Sequence, residues 1–310
     1  MNPADAFTQA MADAGMVPPA TVHADGALHR FSPTGKRGDL AGWYVLHADG
    51  LPAGVFGCWR TGLVQTWCAK PDNALTAAER EALRRRVQQA KAQRDAAENQ
   101  RREQARTVAA QCWNGASPVQ AQGHAYLLAK GVQAHGLRAS PGHAGADGLL
   151  LVPLRDTAGT LHSLQTITPD GHKRFLPGGR VRGCYHAMGK PAGVLVVCEG
   201  YATAASIHEA TGLAVAAAFS ASNLAPVASA LHRQYPAQVL VVAADDDWRT
   251  DGNPGMSAAR QAAMAVSGLL VVPQFPAHRS GETDFNDLHQ LAGLDAVRAC
   301  FAEVLEGMTQ

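Results

Sequence analysis

Acidic residues follow the apolar runs in the second half of the chain, at spacings that could hold a metal ion. Asp245 and Asp247 are two residues apart, so in extended chain their side chains point the same way. Hard carboxylate oxygens suit Mg²⁺ or Mn²⁺, which keep some of their waters and bridge to phosphates. Without a cation such carboxylates would repel one another and their pKa values would rise. The candidate metal ligands are Glu199, Asp245, Asp247, Asp284 and Asp287.

The elements that must position these acids form a predicted α/β domain over residues 193–310. Apolar, β-branched runs alternate with helical segments, which predicts a doubly wound, mainly parallel sheet of four strands. Ligands of such sheets bind beyond the carboxyl ends of the strands, and acids follow three of the four. Asp246 and Asp251 are interpreted instead as turn or cap residues. The predicted strands are 194–198, 213–219, 239–244 and 269–273, and the predicted helices are 202–211, 226–234, 255–267 and 294–307.

Three further segments are predicted ahead of this domain. Residues 1–72 are an N-terminal β-rich unit, because short apolar runs alternate there with turn signals. Residues 73–108 are a long basic helix or linker with a net charge of +4 and few large apolar side chains, expected to lie in solvent between domains. Residues 109–192 are a small α+β subdomain, with two short helices followed by a small β unit that includes 149–154, 161–167 and 173–176.

Aromatic and basic residues are interleaved in the N-terminal unit. This composition suits a surface on which bases stack while cations follow phosphates, such as a single-stranded DNA surface. The same tryptophans could equally form the core of a small sheet, since a unit of this size needs large side chains inside. The candidate surface residues are Arg30, Lys36, Arg37, Trp43, Trp59 and Arg60.

The overall composition excludes several classes of protein. The 27 basic and 26 acidic residues give a net charge of +1, so any nucleic-acid contact must come from local patches. No apolar run is long enough to span a membrane, and residues 1–20 do not resemble a secretory signal, so no membrane partner is expected. The six cysteines include no CxxC pair, which argues against a zinc ribbon and a disulfide framework and favours a cytoplasmic location.

Two sets of motifs resemble a known family. Glu199-Gly200-Tyr201 after one strand and Asp245-x-Asp247 after another resemble the Toprim domain of DnaG-type primases, topoisomerases and some nucleases. The sequence 284–287, Asp-Phe-Asn-Asp, is similar to the late acidic motif of primases, and its wording is closest to primases of phages, conjugative plasmids and integrative elements. Upstream, 152–159 and 173–176 resemble the subdomain that precedes the Toprim domain in primases.

The resemblance implies a DNA-dependent primase that makes short RNA primers on single-stranded DNA by metal-dependent nucleotidyl transfer. Its partners would be the template and nucleoside triphosphates, with a separate helicase or relaxase left open. Mg²⁺ or Mn²⁺ is the expected cofactor, and no zinc is expected. Glu199, Asp245 and Asp247 would be catalytic, with Glu199 either a metal ligand or the general base. The residues implied to hold template or triphosphate are Lys173, Arg174, Arg180, Arg182 and Arg155.

One departure from the family keeps two other functions open. Where the family has a further acid four residues after the glutamate, this chain has Thr203. A Toprim nuclease would use the same acids to activate water, although the upstream 173–176 motif favours a primase. A catalytically silent single-stranded DNA-binding protein is the alternative that the threonine leaves open.

Overall fold

The computed structural model describes residues 2–141, 148–276 and 280–307. The chain divides into two compact units, Met1–Gln100 and Arg101–Gln310, and the boundary between them falls inside a long helix. The finer division into four segments stays a prediction.

The first unit is a four-stranded antiparallel sheet with a helix packed on it. Helix α1 begins after Asn2, whose side chain accepts a hydrogen bond from Ala4 N–H, and it buries Phe7 against Phe56 of the sheet at 5.4 Å between ring centroids. The β-rich prediction for this region therefore missed one helix. The elements are α1 (Pro3–Asp13), β1 (His29–Phe31), β2 (Gly42–His47), β3 (Ala53–Cys58) and β4 (Leu63–Cys68), and the strand order is β1-β2-β3-β4.

Trp43 belongs to the core of this sheet and not to its surface. Its side chain is 2% exposed and packs with Val45, Val55 and Ala90. The prediction that Trp43 contributes to a base-stacking surface is therefore wrong, because a ring buried to this extent cannot receive a base.

The long helix α2 (Ala77–Asn114) extends six residues beyond the predicted end at 108. In the first unit, Ala90 packs against Trp43. In the second unit, Ala109 is fully buried and packs with Leu151 and Leu164. The helix was expected to lie in solvent because it has few large apolar residues. Its buried positions are alanines, which let a neighbouring sheet approach closely and leave only a weak apolar signal in the sequence.

The second unit begins with short helices and an antiparallel sheet. The predicted strand 161–167 is confirmed residue for residue. The strand predicted at 149–154 is confirmed with both ends shifted by one residue, and the one predicted at 173–176 ends one residue earlier. The elements are α3 (Pro118–Ala121), α4 (Ala125–Lys130), β5 (Arg138–Ala139), β6 (Leu150–Arg155), β7 (Leu161–Ile167) and β8 (Lys173–Phe175), in the strand order β5-β6-β7-β8.

The second sheet of this unit has five strands, four of them parallel. The four predicted strands are present, and a fifth, β9, pairs antiparallel with β11. The predicted count of four was therefore one too few, since β9 has only three residues and no alternating pattern. The strands are β9 (His186–Met188), β10 (Val194–Cys198), β11 (Ala214–Ala217), β12 (Val239–Ala243) and β13 (Leu269–Val271), in the order β13-β12-β10-β11-β9.

Helices cover both faces of this sheet, which makes the fold a doubly wound α/β domain. Val196 packs in a core with Ile207 of α5 and Leu288 of α8, while its neighbour Val197 packs in a second core with Val227 of α6 and residues of α7. Both faces are buried, which explains the uninterrupted apolar strands. The helices are α5 (Tyr201–Thr211), α6 (Ala221–Gln234), α7 (Pro254–Ala265), α8 (Phe285–Ala299) and α9 (Ala302–Gly307).

Two helix predictions need correction. Helix α6 begins at Ala221, five residues before the predicted start, because Pro226 lies inside the helix and not in its first turn. The helix predicted at 294–307 is instead α8, which starts at Phe285 and is interrupted at Gly293 (φ 83°), followed by the short α9. Among the described residues, no helix combines the length and apolarity needed to cross a membrane.

Asn223 ties the loop before β9 to the end of β11, and its replacement should destabilise the second unit. Its buried side-chain amide donates to the carbonyls of Val181, Cys184 and Ala218, and its Oδ1 accepts the N–H of Gly183. Asn223→Ala leaves these groups buried without their partner. We expect the free energy of unfolding, measured by urea denaturation of the full chain, to fall by about 2–3 kcal/mol.

The neighbouring Ser222→Ala is the matched control, since Ser222 is exposed and its hydroxyl contacts only that of Ser220 among the interactions found in the described residues. Its unfolding free energy should stay within about 0.5 kcal/mol of the wild type. Equal stability of the two variants would contradict this role for Asn223.

Candidate active site

The strand order creates a crevice at the carboxyl end of β10. Strand β10 lies between β11 and β12 and is parallel to both, so the chain leaves it by α5 towards one side and later reaches its other side by α6. Ligands of open α/β sheets bind where the strand order reverses in this way. Glu199 follows β10, and Asp245 lies two residues beyond the end of β12. The pairing of Val197 with Val242 brings the two strand ends level.

Asp245 has the least favourable electrostatic environment of these carboxylates. Its Oδ1 is buried and has no hydrogen-bond partner among the described residues. Burial raises the pKa of Asp245 well above its usual value, and the nearby carboxylates of Asp284, Glu199 and Asp247 raise it further. A buried acceptor without a partner, surrounded by like charges, is the environment that a bound cation would relieve.

Asp247 is held by the start of helix α7. Its Oδ2 accepts a hydrogen bond of 2.9 Å from Gly255 N–H, in the first turn of that helix. The intervening Asp246 behaves as the turn residue expected, because its Oδ1 accepts a hydrogen bond of 2.7 Å from the side chain of Asn253. The Asp-x-Asp spacing therefore gives two site carboxylates and one loop anchor.

Asp284 and Asp287 form a reciprocal cap at the start of α8. Asp284 Oδ1 accepts from Asp287 N–H at 2.8 Å, and Asp287 Oδ2 accepts from the N–H groups of Asp284 and Thr283. Asp284 Oδ2 also accepts a hydrogen bond of 3.1 Å from the buried hydroxyl of Thr203. Burial and the Asp287 carboxylate raise the pKa of Asp284. Thr203, where the family has a further acid, thus orients a carboxylate instead of adding one.

The middle residues of the 284–287 motif are structural. Phe285 is fully buried and its ring centroid lies 5.4 Å from that of Phe301. Asn286 is also fully buried and donates to the carbonyl of Lys130 and the hydroxyl of Ser206, which docks α8 onto α4 and α5. The motif therefore combines site carboxylates with the contacts that fix their helix.

Glu199 lies near a basic residue of the other sheet. Burial, and next the charge of Asp247, raises the pKa of Glu199, while Lys173 of β8 opposes the rise. Phe175 is on the same face of β8 as Lys173, since residues two apart share a face. Its ring makes an edge contact with Phe219 at 6.1 Å, and the Phe219 N–H donates to the Glu199 carbonyl.

Phe219 was not among the predicted site residues. Its φ of 71° is rare for a bulky side chain, and no pattern in the sequence predicts this backbone conformation.

The other predicted basic residues lie in different places. Arg174 has the opposite strand parity to Lys173, so it points to the other face of β8. The Arg155 guanidinium donates to the Gly159 carbonyl and lies 5.7 Å from the Trp113 ring, an arrangement that fixes a turn. Arg180 and Arg182 line a cavity beside α6. The charge of Lys173 lowers the pKa of Glu199, against the effect of burial.

In the first unit, part of the predicted basic and aromatic set stays at the surface. Arg30 lies over the Trp59 ring at 4.3 Å, and Arg60 pairs with Asp39 at 2.8 Å. Lys36 and Arg37 are exposed in a loop. A DNA-binding role for these residues stays a prediction.

The residue types at the crevice fit a divalent cation, although the carboxylates are not pre-arranged around one. In the part of the chain that the structure describes, no group of three or more His, Cys, Asp or Glu side chains has the geometry to hold an ion. The unpartnered Asp245 Oδ1 and the raised pKa values of Glu199, Asp245 and Asp284 show where a cation would be stabilised. Oxygen ligands suit Mg²⁺ or Mn²⁺.

Gly255 leaves room for this arrangement, and Gly255→Ala should disturb it. A Cβ at position 255 would lie 2.8 Å from both the Asp245 carbonyl oxygen and Asp247 Oδ2, closer than real Cβ atoms come. We expect Mn²⁺ affinity, measured by electron paramagnetic resonance titration, to fall about ten-fold or more with the helix content unchanged.

Ser257→Ala, two residues further along α7, is the control, because the Ser257 hydroxyl donates to the Gly252 carbonyl and not to a site carboxylate. Wild-type Mn²⁺ affinity in Gly255→Ala would show that the close approach of α7 does not position Asp247.

Comparison with known proteins agrees with this geometry. Residues 194–295 match the Toprim domain family. Two DNA primases named TraC, both from Escherichia coli, are 38% and 36% identical to the chain over 291 and 299 residues. Each match covers 89% of this chain but only 27% and 20% of the relative, so the chain spans about a quarter or less of their length.

Among solved structures, the primase fragment of the bacteriophage T7 primase-helicase protein matches with a TM-score of 0.43 and 16% identity, over 57% of this chain and 73% of that one. A likeness this distant supports no conclusion about chemistry. The sequence matches are the stronger result: residues 194–295 match the Toprim domain family, and the chain is similar to part of two DNA primases named TraC.

Proposed function

We propose that this chain synthesises short RNA primers on single-stranded DNA by metal-dependent nucleotidyl transfer. The observation that carries the proposal is the buried, unpartnered Asp245 Oδ1 among like-charged carboxylates at the switch point of a Toprim domain. The relatives of known function are DNA primases, although the chain covers only part of them. Replication or transfer of a plasmid, phage or mobile element is the setting that we infer from the resemblance of the 284–287 motif.

The carboxylates would have distinct roles. Asp245 and Asp247 would hold divalent metal, and Asp284, oriented by the Thr203 hydroxyl, would supply a further ligand. Asp287 would act mainly through the cap that fixes Asp284. Glu199 would be either a ligand or the general base, and its raised pKa is compatible with proton transfer. When bound, Mg²⁺ or Mn²⁺ would neutralise the triphosphate and activate the attacking 3′-hydroxyl.

The basic residues would bind the substrates. Lys173 is the best supported contact for a phosphate, because its charge already acts on Glu199. Arg174, on the opposite face of the same exposed strand, would contact the template. Nucleoside triphosphates and single-stranded DNA are the proposed substrates, without zinc, and a separate helicase or relaxase is a proposal that rests on family resemblance alone.

Replacing Asp245 should abolish synthesis without unfolding the protein. Asp245→Asn removes a negative charge from a crowded site, so stability should be unchanged or higher. The measurement is a denaturing gel of labelled ribonucleotide products made on single-stranded DNA with Mg²⁺, Mn²⁺ or EDTA. We expect a metal-dependent ladder of short RNA from the wild type and none from the variant.

Asp251→Asn is the matched control, since Asp251 is an exposed turn residue in the same loop. It should give the wild-type ladder. Shortened DNA in place of new RNA would show a Toprim nuclease, and DNA binding without either product would show a binding module with an inactive site. A ladder from Asp245→Asn would mean that the site is elsewhere.

Lys173 and Arg174 are adjacent basic residues whose side chains point to opposite faces of β8, so their replacement compares the two faces. We expect Lys173→Ala to lower kcat/KM for the nucleotide about ten-fold or more, because a charge-assisted contact to phosphate is lost. Arg174→Ala should change this value by less and should act mainly on template affinity. Equal effects of both variants on kcat/KM would show that strand parity does not separate their roles.

A further inference from the structure

Phe219 combines a large side chain with a left-handed backbone, two residues after the end of β11. In the described part of the chain, the other non-glycine residues with positive φ are Asn253 and Ser267, whose side chains are small and polar. A Cβ is crowded against the backbone in this region, whereas glycine enters it freely. Backbone strain of this kind concentrates at functional sites, where the surrounding structure maintains it.

The backbone of Phe219 is tied to Glu199 at the end of the neighbouring strand. Its N–H donates to the Glu199 carbonyl at 2.7 Å, directly after the Ala218 N–H donates to the Cys198 carbonyl. The left-handed turn at Phe219 then leads into α6, and the N–H of Ala221, the first residue of that helix, donates to Glu199. The conformation at Phe219 therefore sets where two hydrogen bonds reach Glu199.

The ring of Phe219 connects this edge of the sheet to strand β8. It is 8% exposed and meets the Phe175 ring edge-on, with 6.1 Å between the ring centroids and 81° between the ring planes. An edge contact between two aromatic rings favours one mutual orientation. Lys173 lies two residues from Phe175 on the same face of β8, and its charge reaches Glu199. The ring contact thus lies between the strand that carries Lys173 and the loop that holds Glu199.

Strand β8 depends on contacts outside its own sheet. It has three residues, all exposed, and it is an edge strand that pairs with β7. A short exposed edge strand has few packed neighbours to fix its position. Lys173 Nζ is 5.7 Å from the centroid of the Tyr126 ring, and on the same face Phe175 meets Phe219. The Phe219 ring therefore limits the movement of β8 relative to Glu199.

We propose that Phe219 is a positioning residue, whose backbone holds Glu199 and whose ring holds β8, so that Lys173 and Glu199 keep a fixed separation. This role deepens the proposed function and rests on it in one respect: both side chains act on the same nucleotide. Glycine at this position would satisfy the backbone conformation but would leave β8 without its partner. The strained phenylalanine is kept for the contact that its ring makes.

Phe219→Gly removes the ring and keeps the left-handed backbone, so it tests the ring alone. We expect this variant to keep the circular dichroism spectrum of the wild type and to lose about ten-fold in kcat/KM for the nucleotide in primer synthesis, because the phosphate contact is misplaced. Phe219→Leu keeps more apolar volume and should show the same loss, even if the glycine variant does not fold. Ser267→Gly is the matched control, since it relieves a positive φ at an exposed turn after α7 and should keep the wild-type value.

A double-mutant cycle with Lys173→Ala separates positioning from a general loss of structure. A ring that acts through Lys173 has little left to position once the lysine is gone. We therefore expect Phe219→Gly to change kcat/KM less than about two-fold in the Lys173→Ala background. A role in stability alone would give the same loss in both backgrounds. Equal losses would overturn the proposal, and so would a wild-type value in Phe219→Gly.

Hydrogen exchange of the full chain, without nucleotide or metal, tests the same contact independently of activity. Phe175→Leu changes the partner ring on β8 and leaves residue 219 untouched, and we expect it to speed exchange in the segment 217–221 about ten-fold. Arg174→Ala, on the opposite face of the same strand, is the control and should leave exchange of that segment unchanged. Unchanged exchange in Phe175→Leu would contradict the proposal.

The two measurements distinguish this role from the proposed function. If the wild type makes no RNA, the proposed primer synthesis is wrong, and the exchange of 217–221 alone decides whether the Phe219 ring holds β8 and Glu199 together. If the wild type makes RNA and exchange responds to Phe175→Leu, the cycle decides whether that contact positions Lys173.

Discussion

Half-buried carboxylates repel one another, and the second unit is built to hold several of them at one strand edge in spite of this. The neighbouring negative charges raise the pKa of Asp245 above the value that burial alone would give. Each of them makes the ionised form of Asp245 less favourable. Such a cluster persists only if the surrounding structure fixes it. The level ends of β10 and β12 do so, because their parallel pairing fixes the backbone just before Glu199 and Asp245.

Each carboxylate except Asp245 is anchored by a backbone N–H at the start of a helix. Ala221 of α6 serves Glu199, Gly255 of α7 serves Asp247, and Asp287 of α8 serves Asp284. Helix N-termini carry partial positive charge, so they offset part of the repulsion while fixing direction. The N-termini of the helices thus supply positive charge to the carboxylates, a role that basic side chains could also fill. Asp245 receives no such partner among the described residues, which singles it out as the position for an external charge.

The sequence predicted those features of the fold that local pattern encodes. Strands β10 and β12 are uninterrupted β-branched runs, and acids directly after such runs could be assigned to one edge from topology alone. Features set by packing were missed. Burial of Trp43 depends on Ala90, which lies far along the chain in a helix that looks wholly polar. Which of Lys173 and Arg174 faces Glu199 depends on strand parity, and that required the position of β8. Arg180 and Arg182, which sequence reasoning grouped with the site residues, lie in the loop between β8 and β9, and their role stays a prediction.

Strand β9 extends the parallel sheet to residues ahead of 193, where the sequence analysis placed the start of the α/β domain. It pairs with β11 from a stretch assigned to the preceding subdomain, and the buried Met188 joins the core shared with α5. A module cut at residue 193 for transplantation into another protein would carry β11 as a bare, apolar edge, and such edges recruit foreign strands. Recombination between related chains should therefore be penalised between His186 and Val194. The structural unit that must be kept intact therefore includes β9 as well as the four parallel strands.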